Sequence, residues 1–166
     1  MPVISASRRC DIPAFQSTWL MNRLNAGFTT LPGYRTRAGN TVPERRVSLS
    51  PDDVDCIVLW TKDIRRMLRE HDLEHMGHSF YIQHTLTAYG TDIEPALGDT
   101  KDDILDAMRE VAATFGADTL VWRYDPILMT EDWDVKRHLA VFERLAQSLE
   151  GSTDTCVVSF LDVYGK

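Results

Sequence analysis

The sequence predicts an α/β fold with a mainly parallel sheet, and two observations lead to that prediction. Five short apolar runs have strand length and β-rich composition, and each ends in charged or hydrogen-bonding side chains; the runs begin at Val3, Cys56, Phe80, Leu120 and Cys156. Helical patterns separate most of these runs, which is typical of a parallel sheet. Because parallel sheets place their chemistry at the carboxyl ends of the strands, the polar residues after each run are the first candidates for a site.

The individual elements follow from local patterns. After a first strand at 3–7, an apolar stripe predicts a helix from Pro13 to Asn25 that Gly27 ends. Two extended segments and two turn-forming pairs predict a hairpin-like insertion near residues 28–49. The patterns that remain predict strands at 56–61, 79–87, 119–124 and 156–161 and helices at about 64–74, 100–115 and 131–149.

The chain of 166 residues suits a single α/β domain. The segment 28–31 is counted with the sheet, so we expect about six strands, whereas a closed eight-stranded α/β barrel typically needs ~250 residues. Two alternatives therefore stay open: a complete doubly wound sheet, or the front of a larger barrel. In the second case the open sheet edges would favour self-association.

Composition excludes several classes of function. The net charge of -7 argues against binding to nucleic acid or to an anionic membrane. No apolar stretch approaches the ~20 residues of a membrane span, and no secretory signal is visible, so we expect a cytoplasmic protein. The three cysteines form no CxxC pair, so no cysteine metal site is predicted; Cys56 and Cys156 are expected to be buried, while Cys10 is a candidate for weak thiol reactivity.

The candidate site begins with the residues after the first strand. Arg8 and Arg9 stand just before a predicted helix, where a guanidinium beside a helix N-terminus suits a phosphate or a carboxylate. The alternative is surface pairing of these arginines with Asp11. Lys62 follows Trp60 on one strand face and either binds an anion or, if buried, acts as a base.

The later strand ends supply further candidates. Arg123 and Asp125 share a face, and Asp125 either orients Arg123 or moves a proton. Gln83 and Thr85 lie on a polar strand face that suits a hydrogen-bonding cavity, and Asp162 ends the last strand. The histidines at 71, 75 and 78 lack the spacing of a metal site. His84 and His138 lie on apolar faces and are expected to be core residues, and the same is expected of the tryptophans at 19, 122 and 133.

Several blocks of this sequence, taken in order, resemble the family named domain of unknown function 1848. The matching stretches are Ile4–Arg9 with Asp11–Phe15, Arg46–Leu49 with Pro51 and Asp53–Ile57, Trp60–Lys62, Thr85–Thr87 with Tyr89–Gly90 and Asp92–Pro95, Trp122–Ile127, and Ser159–Phe160. The resemblance implies a TIM-barrel-like fold, of which this chain would be an N-terminal portion, because full-length members are longer. It also implies a C-terminal cysteine cluster like the iron–sulfur motif of radical S-adenosylmethionine enzymes, which this chain does not reach; Cys10 stands where the family has Thr.

Together these observations predict an enzyme-like domain that holds a small anionic or polar substrate at the strand ends. Lys62, Arg123 and Asp125 are the catalytic candidates, and the ligand-binding candidates are Arg8, Arg9, Asp11, Trp60, Gln83, Thr85 and Asp162. By resemblance, an iron–sulfur cluster and S-adenosylmethionine are expected only for the full-length family. The alternative is a non-catalytic remnant or ligand-binding module without a redox centre.

Overall fold

A computed structural model describes residues 2–7 and 9–161 of the chain. Its strands are β1 (Val3–Ala6), β2 (Phe28–Leu31), β3 (Tyr34–Arg35), β4 (Thr41–Val42), β5 (Arg45–Ser48), β6 (Cys56–Thr61), β7 (Phe80–Thr85), β8 (Leu120–Ile127) and β9 (Thr155–Phe160). Its α-helices are α1 (Ile12–Phe15), α2 (Ser17–Ala26), α3 (Arg65–Glu70), α4 (Lys101–Phe115) and α5 (Val135–Ser148). None of the helices in these ranges has the length and hydrophobicity of a membrane span.

Five of the strands form the central sheet, in the order β1-β6-β7-β8-β9, and every neighbouring pair is parallel. The predicted mixed α/β fold with a parallel sheet is therefore confirmed. The order follows the chain without a reversal, whereas a doubly wound sheet reverses its order at a switch point. This topology is consistent with part of an α/β barrel.

The count of about six sheet strands is corrected to five. The segment 28–31 does form a strand, but β2 pairs only with β5, in antiparallel register from Phe28 opposite Ser48 to Leu31 opposite Arg45. A smaller antiparallel pair, β3 with β4, lies between them. The predicted hairpin-like insertion is confirmed, and among the described residues β2 belongs to this insertion and not to the main sheet.

The two faces of the central sheet differ in chemistry. One face is apolar and carries the core: its fully buried side chains include Ile57, Leu59, Ile82 and Leu120. On the other face, among the described residues, Val58 is the only buried apolar side chain. Parallel sheets are normally buried on both faces, whereas the packed core of the described residues lies on the apolar face.

The predicted helix from Pro13 to Asn25 is two helices, because Gln16 leaves the helical conformation with φ −137°. Leu20 and Leu24 of α2 are buried, but Trp19 is 46% exposed, so its prediction as a core residue is wrong. Gly27, at φ 73°, ends α2 in the left-handed conformation that the sequence predicted for a terminator.

Other local predictions hold in part. The helix at 64–74 is shorter, since His71 is already extended after α3. Cys56 is half-buried and Cys156 exposed, so the prediction that both are buried is wrong. His138 is a satisfied core histidine as predicted, but His84 is fully buried with neither ring nitrogen hydrogen-bonded.

Candidate functional site

A cavity of about 260 Å³ opens at the carboxyl ends of β1, β6 and β7. Six of the predicted site residues line it: Arg9, Asp11, Trp60, Lys62, Gln83 and Thr85. Arg123 and Asp125 adjoin this group on β8, where Arg123 contacts Gln83 and Trp60. The structure thus brings eight of the ten predicted residues to one end of the sheet, while Arg8 and Asp162 lie outside the described residues.

Arg123 is held on three sides. Its Nη1 donates to Gln83 Oε1 at 3.2 Å, its Nη2 donates to Asp125, and its Cζ lies 5.0 Å from the centroid of the Trp60 ring. Trp60 is itself positioned, because its Nε1 donates to Ser5 Oγ at 2.9 Å. The guanidinium side chain is only 17% exposed. Stacking and hydrogen bonding therefore give this fork one orientation before any ligand arrives.

Asp125 orients Arg123. One of its carboxylate oxygens accepts from Arg123 and the other accepts from Ser159 of β9. Burial alone would raise the pKa of Asp125, but the hydrogen bonds from Ser159 and Arg123 outweigh burial and lower it. An ionised carboxylate with both oxygens occupied suits the orienting role better than the proton-transfer role.

Lys62 belongs to a second ionic cluster beside the cavity. The Glu94 carboxylate accepts from Lys62 and Lys101 and also from the Thr87 hydroxyl, at 2.7 Å. Glu94 is 9% exposed, and although burial opposes its ionisation, these three donors lower its pKa. Two ammonium groups share a single carboxylate, so the cluster keeps an excess positive charge next to the cavity.

Asp11 links helix α1 to the end of β6. Its Oδ1 accepts from the Ala14 N–H at 3.0 Å as the N-cap of α1, and its Oδ2 accepts from the Lys62 N–H at 2.7 Å. Both oxygens are therefore engaged by the backbone. These contacts support a positioning role for Asp11, which holds the loop that carries Arg9 and the strand end that carries Lys62.

The loop after β1 has an uncommon backbone at Ser7, which lines the cavity with φ 74°. Its hydroxyl accepts from the N–H groups of Arg9 at 3.1 Å and Cys10 at 3.3 Å. A non-glycine residue in this region costs roughly 1–2 kcal/mol, and such positions concentrate at functional sites. The turn presents Arg9, which is exposed, at the rim.

The segment after Asp125 is secured by a buried aromatic cluster. Tyr89 Oη donates to the Pro126 carbonyl at 2.8 Å and accepts from the Leu128 N–H at 2.7 Å. His138 Nε2 lies 3.0 Å from the Leu128 carbonyl, to which it donates, so Nδ1 accepts from the Tyr124 hydroxyl at 2.8 Å. Through these contacts α5 holds the end of β8 in place.

Sequence reasoning missed three of the residues that shape this site: Glu94, Lys101 and Ser159. Glu94 has the sequence context of a turn or cap residue, and Lys101 that of an ordinary first helical residue. No local signal pairs them, because their partners are 7 to 32 positions away along the chain. Ser159 is the next-to-last residue of β9, and only the β8–β9 pairing brings it to Asp125.

The fold and the site together define a class: an α/β domain with barrel-like topology and a cationic cavity at the strand carboxyl ends. The model of the family described as "Domain of unknown function (DUF1848)" matches residues 3–166, and the chain belongs to that family. This confirms the resemblance found in the sequence blocks. No curated protein matches the chain, and no solved structure matches it either.

The cysteines do not fit the iron–sulfur cluster that the resemblance implies for the full-length family. Cys10 lies at the cavity after β1, whereas Cys56, the first residue of β6, and Cys156, the second residue of β9, lie at the opposite end of the sheet. A cluster needs several thiolates around one centre, and these three cannot meet. Among residues 2–7 and 9–161, no group of three or more His, Cys, Asp or Glu side chains is placed to hold a metal ion.

Proposed function

We propose that this domain binds a small anionic or polar ligand in the cavity at the ends of β1, β6 and β7. One observation carries the proposal: Arg123 is held in one orientation against Gln83 and Trp60, two lining residues of a cavity that Arg9 and Lys62 line as well. A guanidinium fork matches the oxygens of a carboxylate or phosphate, and a fork that is already oriented loses little entropy on binding. The ligand class that fits is therefore a small carboxylate or phosphate compound.

Each side chain has a distinct role in this proposal. Arg9 and Lys62 contribute charge at the rim, and the Lys62 side chain remains 44% exposed although Glu94 holds its ammonium. Arg123 uses one N–H on each terminal nitrogen for Gln83 and Asp125, which leaves further donors for a ligand. Gln83 and Thr85 supply neutral hydrogen bonds from the same strand face.

The test is to titrate the protein with inorganic phosphate and with citrate, and to measure binding by the backbone NMR chemical shifts and by calorimetry. We expect shifts at the cavity, and affinity at least about tenfold lower for Arg9→Ala and Arg123→Lys, because a charge-assisted hydrogen bond and a bidentate fork are lost. The matched control is Arg69→Ala, since Arg69 is exposed on α3 away from the cavity. Unchanged affinity in both cavity variants would refute the proposal.

Two functional classes are compatible with this ligand site. The first is an enzyme-like domain in which Lys62, Arg123 and Asp125 act on the ligand. The second is a non-catalytic binding module, and one observation favours it: all three of these side chains are already engaged in ion pairs. Incubation of the protein with phosphate esters and carboxylate esters, followed by NMR of the ligand, separates the two, because only the enzyme-like domain converts the ligand that it binds.

A further inference from the structure

The ionic cluster beside the cavity places one carboxylate between two ammonium groups. One carboxylate oxygen of Glu94 accepts from Lys62, and the other accepts from Lys101 and Thr87. Lys62 lines the cavity, whereas Lys101, whose side chain is only 18% exposed, lies behind Glu94 and does not line it. Glu94 therefore cancels one of two neighbouring positive charges, and only one of the two ammonium groups borders the space for a ligand.

The loop that carries Glu94 fixes its position. The Glu94 N–H donates to the Gly90 carbonyl at 2.8 Å, and its own carbonyl accepts from the N–H groups of Leu97 at 3.0 Å and Gly98 at 2.8 Å. The loop closes so tightly that a Cβ atom at Gly98 would overlap the backbone nitrogen of Thr91. Because both its backbone and its side chain are held, the negative charge of Glu94 stays at one place beside the cavity.

The charged groups around the cavity nearly cancel one another. Among the described residues, four cations line or adjoin it: Arg9, Lys62, Lys101 and Arg123. Three carboxylates line or adjoin it as well: Asp11, Glu94 and Asp125. One positive charge is therefore in excess, and without Glu94 the excess would be two.

This excess bears on the charge of the ligand that the cavity accommodates. Moving an anion out of water costs free energy that rises steeply with its charge, and only compensating protein charges recover that cost. One excess positive charge balances a monoanion, whereas a dianion would leave a negative charge without a counter-ion.

We propose that Glu94 sets the charge of the ligand, so that the cavity selects singly charged oxyanions, such as a monocarboxylate or a phosphate diester, over dianions. This inference rests on the proposed function, because it concerns the same cavity and the same class of ligand. Glu94 does not line the cavity, so it acts on the ligand through its charge. Lys101 acts in the same way with the opposite sign.

The test compares succinate with its monomethyl ester, a ligand of similar size with one carboxylate fewer, by calorimetry at low ionic strength. We expect the wild type to bind the monoester at least about threefold more tightly. In Glu94→Gln the dissociation constant should fall about threefold for the monoester and about tenfold for succinate, since the Coulomb energy is proportional to the ligand charge. The preference of the wild type should therefore disappear in this variant.

Lys101→Gln changes the charge beside the cavity in the other direction. Its dissociation constants should rise about threefold for the monoester and about tenfold for succinate, which widens the preference to about tenfold. High salt should remove these differences, because the charges become screened. Circular dichroism verifies that both variants are folded, and Lys101→Gln keeps the test available if Glu94→Gln does not fold.

The control is Asp118→Asn, which removes an exposed carboxylate just before β8, at the opposite end of the sheet from the cavity, and should change neither affinity. A wild type that prefers succinate, weaker binding of both ligands by Glu94→Gln, or equal changes for the two ligands in Lys101→Gln would overturn this inference and leave the proposed function standing. No binding of either ligand to any of these proteins would overturn the proposed function and this inference together.

Discussion

Acidification should destabilise this protein through His84, before most carboxylates are protonated. His84 lies in β7 between Thr61 of β6 and Trp122 of β8, fully buried. Burial lowers its pKa from 6.5 to about 4, with Asp63 and Lys101 acting in opposite directions on it. Between these two values the unfolded chain binds a proton that the folded chain does not, so stability is complete above pH 6.5 and falls as the pH decreases.

The magnitude follows from the two pKa values. The free energy of unfolding should fall by about 2 kcal/mol between neutral pH and pH 5, and by about 3 kcal/mol at pH 4. The assay is urea denaturation followed by tryptophan fluorescence at several pH values. His84→Leu removes the titrating group and should flatten the dependence between pH 6.5 and 5, whereas His75→Gln, at a side chain 82% exposed, should leave it unchanged. Equal pH dependence in wild type and His84→Leu would refute this reasoning.

Two further predictions concern polar contacts near the site. Glu94→Gln should lower the free energy of unfolding by about 2 kcal/mol or more, because Lys62 and Lys101 lose their shared counter-ion; an unchanged urea midpoint would contradict the pairing. Tyr124→Phe should cost about 1 kcal/mol, since His138 Nδ1 loses its donor inside the core. Calorimetric unfolding of this variant beside wild type measures the loss, and equal transition temperatures would exclude that hydrogen bond.

The parts of the fold that depend on short-range pattern were predictable. Short apolar runs located the five sheet strands, and Gly27 marked the end of α2. The partnership of β2 was not predictable, because an apolar run of strand length does not specify which sheet it joins. The break at Gln16 was not predictable either, since nothing in the apolar spacing marks a single residue that leaves the helical conformation.

The candidate site was predictable in its location more than in its electrostatics. Strand-end reasoning brought Arg9, Lys62, Gln83 and Arg123 to one end of the sheet, where the structure has them. It did not predict that Glu94 pairs with both Lys62 and Lys101, or that Ser159 and Arg123 occupy both oxygens of Asp125. Such pairs join residues from different loops and strands, and their partners cannot be read from spacing along one element.

By itself, the sequence determined the fold class, the direction of the sheet and the end of it where polar side chains gather. Those properties depend on periodicity, composition and strand-end chemistry, which are local. The tertiary structure alone decided which charges are paired and that, within the part of the chain described, the ring nitrogens of His84 are buried without a hydrogen-bond partner. The physical reason is that burial and ion pairing depend on which distant segments pack together, and that is a property of the folded chain.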